Sequence, residues 1–234
     1  TLLRELLYET IEHKRGLHLE DGEERSERSL AKGTKFTFED LVGCSPQIKQ
    51  IIKDAQTIAG LDASILITGE TGTGKEVLAQ SIHNFGRGDK RFVAVNCAAI
   101  PDTLMESTMF GSVKGAFTGA VDSRGLLREA EDGTLFLDEI NSMSTAMQAK
   151  LLRALQERCV RPVGSMEEYP IQCRLICASN ESAGSLLREK LMRQDLFYRI
   201  SDFILAIPPL RERKQDILEL AEQFIRRYNR EFHK

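Results

Sequence analysis

The sequence predicts an α/β domain, a five-stranded parallel sheet set between helices, and three features carry that expectation. From about Phe36 onward, short β-like runs alternate with longer helical patterns, the order that builds a parallel sheet covered on both faces. A glycine-rich turn joins one of these strands to the helix after it. Another apolar strand ends in two adjacent carboxylates. Composition agrees, since 234 residues with 41% hydrophobic content can bury a substantial core.

Charge and cysteine usage exclude several classes. The 32 basic residues against 35 acidic ones give a formal charge of -3, which speaks against a broad electrostatic footprint for nucleic acid on this segment. Any DNA-reading module is expected elsewhere. Cys44, Cys97, Cys159, Cys173 and Cys177 form no C-x-x-C pair and mostly sit in apolar surroundings, so reduced core thiols in a cytoplasmic protein are expected. No uninterrupted apolar run approaches the roughly 20 residues of a membrane helix, and no secretory signal pattern opens the chain. No membrane partner is therefore expected.

Taken in order, Thr1 to Lys14 carries Leu2, Leu3, Leu6, Leu7 and Ile11 at near-helical spacing and reads as a linker helix. Residues 20–35 are densely charged, interrupted by Gly22 and Gly33, and read as a solvated connector. The expected division is a linker over 1–35, the α/β unit over 36–209 and a helical unit over 210–234. Within the α/β unit the strands are expected at Ala63 to Thr68, Phe92 to Asn96, Thr134 to Asp138, Arg174 to Ser179 and Phe203 to Ile207. Pro46 to Ala59 and Ser144 to Arg158 have helical periodicity, with Ser144 as N-cap of the second. Pro208-Pro209 ends the last strand, and a further helix is expected from near Lys214.

The turn Gly69-Glu70-Thr71-Gly72-Thr73-Gly74-Lys75 follows Ile65, Leu66 and Ile67 and precedes the helical pattern Val77 to Ile82, the context of a P-loop. Glycines let several backbone N–H groups face phosphate oxygens, the next helix adds its positive end, and Lys75 reaches the terminal phosphates. Glu76 stands where the general motif has a Ser or Thr hydroxyl for magnesium, so another ligand or a water takes that role. Gly133 to Leu137 leads into Asp138 and Glu139. Asp138 is expected to hold magnesium, directly or through water, and Glu139 to polarise or deprotonate the attacking water. Together the two motifs point to hydrolysis of a nucleoside triphosphate.

These motifs, with Asn96-Cys97-Ala98-Ala99, Phe110-Gly111, the hexapeptide Gly115-Ala116-Phe117-Thr118-Gly119-Ala120 and Pro208-Pro209-Leu210-Arg211-Glu212-Arg213, resemble the AAA+ domain of sigma-54-dependent activators, or bacterial enhancer-binding proteins. Glu76 looks like that family's usual residue. The resemblance implies ATP and magnesium as cofactors, a hexameric ring, and a hexapeptide at the tip of a loop inserted into a helix and facing the sigma-54 RNA polymerase holoenzyme. Gly115 and Gly119 flank Phe117 and Thr118, so a flexible base can present one apolar group and one hydroxyl. By position, Asn96 matches a residue that contacts the catalytic glutamate, here Glu139, and Asn180 matches the polar sensor near the γ-phosphate. Arg193 and Arg199 match arginine fingers that reach a neighbouring subunit's nucleotide. On one unbroken helix those two would point about 120° apart. Either the helix breaks near Asp195, or one arginine acts on ATP while the other braces the interface.

Ser112-Val113 departs from a usual His-Glu or Tyr-Glu pair, Arg128 replaces a frequent glutamate, and Pro162 stands where arginine is usual. These positions flank the projecting loop or the loop beside it. The family's remaining lid, with its Gly-Asn-Val-Arg-Glu-like segment, and its helix-turn-helix reader of promoter-upstream DNA do not occur before Lys234, so a fragment ending within the lid is expected. The function expected is ATP-driven remodelling of the sigma-54 polymerase closed complex. The alternatives are another AAA+ remodeller, such as a helicase loader or unfoldase, and a nucleotide-gated interaction module without turnover. The hexapeptide disfavours the first, and Glu139 with the two arginines disfavours the second.

Overall fold

The computed structural model describes residues 33–231. The expected helix over 1–14, and the charged connector apart from residues 33–35, lie outside them. The main elements run α1 (Pro46–Ile58), β1 (Ile65–Thr68), α2 (Lys75–Arg87), β2 (Phe92–Asn96), α3 (Asp102–Phe110), α4 (Leu126–Glu129), β3 (Thr134–Asp138) and α5 (Thr145–Glu157). There follow β4 (Cys159–Val160), β5 (Tyr169–Pro170), β6 (Arg174–Ser179), α6 (Ala183–Arg188), α7 (Gln194–Ile200), β7 (Phe203–Ala206) and α8 (Asp216–Glu231). Five strands make one sheet in the order β2-β3-β6-β1-β7, and every neighbouring pair is parallel. The expected β2, β3 and β6 have the observed bounds. The expected β1 begins two residues early and β7 ends one residue late.

Parallel strands covered on both faces read as continuous apolar runs, and the central ones here do. All of β1 and β6 is buried, whereas the edge strand β2 alternates in exposure and β7 is exposed except at Leu205. Because successive side chains point to opposite faces, the strands divide the core in two. Leu66, Leu135, Leu137, Leu175 and Cys177 pack with α3, α5 and α7. Ile65, Ile67, Phe136, Ile176 and Ala178 pack with α1 and α2. All five cysteines are free thiols, with Cys97, Cys173 and Cys177 buried.

Helix starts follow their caps. Ser45 accepts from Ile48 N–H and Pro46 opens α1, while Ser144 accepts from Met147 N–H at the start of α5, as expected. His83 on α2 is fully buried against Phe92, its ring nitrogens 2.8 Å from Thr134 Oγ1 and 3.2 Å from Lys90 O. Burial pushes its pKa down to about 4, so the imidazole is neutral in the folded protein. Arg174 at the start of β6 is also buried. Its Nη1 donates to Ala59 O at 2.6 Å and Leu61 O at 3.3 Å, placing a cation against the carbonyls that follow α1. Among the described residues, no helix is long and apolar enough to cross a membrane.

Candidate active site and projecting loop

The parallel topology brings the ends of β1, β3 and β6 together, so the predicted phosphate, carboxylate and sensor residues converge at one edge of the sheet. Gly69 N–H donates to Ser179 O at 3.2 Å, which locks the phosphate loop to the end of β6. Gly69, Gly72 and Gly74 all have positive φ. At Gly69 glycine is required twice over, since φ is +155° and an added Cβ would lie 2.7 Å from Ile207 O. Lys75 opens α2 and is buried, its Nζ donating to Gly69 O at 2.7 Å and Glu70 O at 3.1 Å. Burial pushes its pKa down, while Asp138 and Glu139 pull it up. Thr73 Oγ1 closes the turn by donating to Glu70 O. Thr71 is exposed at the loop's tip, and Glu76 points out of the core, accepting from Gln80 Nε2.

Asp138 and Glu139 are both half-buried at the end of β3. Asp138 Oδ1 accepts Glu139 N–H at 2.9 Å, leaving its other oxygen for a ligand. Glu139 sits in the left-handed region, φ 50° and ψ 45°, a conformation that costs a non-glycine residue energy and recurs at functional sites. Among the described residues no hydrogen bond or ion pair occupies the Glu139 carboxylate, so it is available to a water. An acid with one free oxygen beside a base and a buried lysine is a donor set that suits magnesium and a polyphosphate.

The sensor residues are placed unequally. Asn180 follows β6, and its Oδ1 accepts from Asn141 Nδ2 at 3.0 Å. Asn96 lies in register with Asp138. The expected Asn96–Glu139 contact is not made among the described residues: no hydrogen bond joins the two, and Asn96 Oδ1 accepts Ala98 N–H at 2.8 Å, capping the 3-10 turn Cys97–Ala99. The arginine question resolves through the first alternative, with the break one residue earlier than expected: α7 begins at Gln194 and Arg193 precedes it in extended conformation. Arg193 pairs with Asp195 at 2.7 Å, and Arg199 Nη2 donates to Leu155 O at 2.7 Å.

Several functional residues escape sequence reasoning. A cleft of about 540 Å³ continues from the phosphate loop, walled by Leu41, Val42, Val77, Leu210, Leu220 and Phe224. An apolar slot opening off a phosphate cradle fits a flat base joined to a polyphosphate. Arg211 grips Glu70 through two bonds of 2.7 and 2.6 Å and holds the Glu70 carboxyl below its ordinary value. Buried Arg213 donates to Thr73 O at 3.2 Å and faces Asp216, which accepts from both Ser45 N and Ser45 Oγ at 2.7 Å. The sequence signal for this clamp is the run Leu210-Arg211-Glu212-Arg213, whose contacts only the fold supplies.

Residues 111–125 leave the sheet between α3 and α4. Ser112 and Ser123 exchange backbone hydrogen bonds at 3.1 and 2.8 Å, and the loop returns through turns at Val113–Ala116 and Phe117–Ala120. Gly115 and Gly119 have φ of 86° and 83°. Phe117 is 41% exposed, and Thr118 is exposed beside it. A second loop, between β4 and β5, braces this one. Val113 N–H donates to Val163 O at 3.1 Å, Val163 N–H donates to Gly111 O at 2.9 Å, and a Cβ on Gly164 would meet Ala116 Cβ at 2.5 Å. The unusual residues find places here: Ser112 is buried and donates to Val121 O, Pro162 is buried, and the Arg128 guanidinium lies 3.4 Å from the centre of the Tyr169 ring.

A strand, a glycine cradle and a lysine-led helix, followed by a sheet strand ending in Asp-Glu, define an AAA+ P-loop NTPase fold. Within that class the chain belongs to the Sigma-54 interaction domain family, whose description matches residues 41–206. It is 52% identical over 200 residues to the Transcriptional activator RocR of Bacillus subtilis (strain 168), a match covering 85% of this chain and 43% of that protein. The Nif-specific regulatory protein of Azorhizobium caulinodans is 42% identical over 221 residues, 94% of this chain and 36% of its own length. Among solved structures, NtrX from Brucella abortus in complex with ATP superposes with a TM-score of 0.73 at 30% identity, covering 97% of this chain and 49% of that one. The chain thus spans less than half the length of these relatives.

Proposed function

We propose that this chain is the ATP-hydrolysing motor of a sigma-54-dependent transcription activator, and that its Phe117–Thr118 loop engages the sigma-54 RNA polymerase holoenzyme so that the closed complex opens. The observation that supports it most is the junction of Lys75, Asp138 and Glu139 at one end of the sheet, in the same unit as the loop that joins α3 to α4. The base of ATP fits the slot lined by Leu41, Val42 and Phe224, and the phosphates fit the loop from Gly69 to Gly74. Lys75 then exchanges its carbonyl partners for phosphate oxygens. Asp138 would hold magnesium, which supplies charge neutralisation on the phosphates when bound. Glu139 takes a proton from water as the water oxygen attacks the γ-phosphorus. The bond to the bridging oxygen breaks, leaving ADP and phosphate.

In this reading residues 36–209 are the ATPase subdomain and residues from 210 begin its lid. Arg193 and Arg199 leave Asp195 and Leu155 to reach the nucleotide of a neighbour in a hexameric ring. Promoter-upstream DNA is bound by another part of a cytoplasmic protein. The test is ATP turnover in the complete protein. Glu139→Gln should lower it by about 10²- to 10⁴-fold while ATP still binds. Equal turnover in the two proteins removes Glu139 as the base.

A further inference from the structure

The Asn141–Asn180 bond belongs to a longer side-chain network at the end of the sheet. Glu181 N–H donates to Ser179 Oγ at 3.0 Å, Ser179 Oγ donates to Asn141 Oδ1 at 2.9 Å, and Asn141 Nδ2 donates to Asn180 Oδ1 at 3.0 Å. Ser179 is fully buried, Asn141 and Asn180 half-buried. Asn141 stands two residues past Glu139, at the centre of the 3-10 turn Ile140–Ser142. The turn is itself tied down, Ser142 N–H and Ser142 Oγ both donating to Glu139 O.

Ser179 Oγ takes the Glu181 N–H on one lone pair and gives its own hydrogen to Asn141 Oδ1. An amide whose oxygen is occupied presents its NH₂ group to its other neighbour, so Asn141 donates to Asn180. Asn180 Oδ1 is then turned toward Asn141, and the side of its amide that is left without a partner among the described residues is the NH₂ group with its two donors. Asn180 stands directly after Ser179, whose carbonyl receives Gly69 N–H of the phosphate loop.

We infer that Asn141 is a positioning residue for nucleotide-state sensing: it fixes the Asn180 amide so that only N–H donors face the terminal phosphate, and it links that amide to the turn carrying Glu139. The inference deepens the ATPase reading and rests on it. A γ-phosphate brings acceptors alone, so an amide held donor-outward discriminates ATP from ADP, whereas a freely flipping one spends part of its time presenting oxygen to oxygen. The same three-bond chain ties the Asn180 amide to the residues after Glu139.

The distinguishing variant is Asn141→Asp in the complete protein. The carboxylate has nearly the same shape but cannot donate, so the Asn180 amide turns its N–H toward Asp and its oxygen toward the phosphates; its added charge also repels phosphate, and Ser179→Ala, which adds no charge, separates the two effects. Asn141→Ala removes the constraint without reversing it. ATP affinity, ADP affinity and turnover are measured for both, with thermal melting in the absence of nucleotide as the control for folding. Asn141→Asp should lose about tenfold or more in ATP affinity while ADP affinity is retained, and Asn141→Ala about two- to fivefold. Ser179→Ala, which frees the Asn141 amide to rotate, should follow Asn141→Ala and serves if the Asp variant does not fold. Equal losses for ATP and ADP, or an Asp variant no worse than Ala, overturn the relay and leave the ATPase reading standing. Absence of turnover in the unmodified protein overturns both.

Discussion

Asp138 and Asn180 stand at or just past the ends of strands fixed by parallel register and Lys75 opens the helix that follows β1, whereas Phe117 stands on a loop held by two backbone bridges, two glycine-hinged turns and a neighbouring loop. The first region is the end of a buried sheet, where a shift of one residue would turn every side chain to the wrong face. The second has few buried apolar contacts, and its braces lie between loops. Such construction is what a moving part requires, since segments that change position are drawn from the least stable parts of a fold. The difference assigns rigidity to the chemistry and adjustability to the contact surface.

Substitutions can break this contrast at either end. At the rigid end Gly69→Ala puts a Cβ against Ile207 O at a positive φ, a strain of about 1–3 kcal/mol that should weaken nucleotide binding by roughly tenfold or more. Titration with a fluorescent nucleotide measures it, and an unchanged affinity would mean that the phosphate loop is less fixed than its geometry implies. At the adjustable end Arg128→Ala and Tyr169→Leu each remove the guanidinium-on-ring contact between α4 and β5, the strand that ends the second loop. Each should slow open-complex formation by about two- to fivefold, and the double variant should be no worse than either single one. ATP turnover should stay unchanged in all three.

The smallest effect concerns acid. His83 is neutral in the fold, with its pKa depressed to about 4 from an ordinary 6.5, so the unfolded chain takes up the extra proton first. Its contribution to stability is complete above pH 6.5, declines as pH falls from 6.5 toward 4, and levels off below that. Denaturant unfolding at pH 7 and pH 5 should show the loss, and His83→Gln should reduce it. An identical slope in the two proteins would assign the acid sensitivity to other groups.

The same contrast explains what was legible in the sequence. Strands β3 and β6 were readable to the residue because buried parallel strands are short apolar runs with sharp polar ends, and β2, an edge strand, ends as sharply at Asn96. The phosphate loop and Asp138-Glu139 were readable because their chemistry lies in consecutive residues. Asn141, Arg211 and Arg213 were not, since their partners Asn180, Glu70 and Thr73 are remote in sequence and meet them only through the sheet order. Asn96 illustrates the converse: the expected partner was the remote Glu139, and the bond its side-chain oxygen makes is a local cap on Ala98 N–H two residues on. At the loop, the hexapeptide identifies itself, while the stacking of Arg128 on Tyr169 links α4 to β5, which no local pattern connects.

The central claim, that ATP chemistry at the sheet edge acts on polymerase through the loop, is tested most directly by Phe117→Ala in the complete protein, with ATP turnover and sigma-54-dependent open-complex formation measured on the same preparation. Turnover close to that of the unmodified protein, with open complexes lost, is the predicted result. Open complexes formed at the original rate would contradict the account.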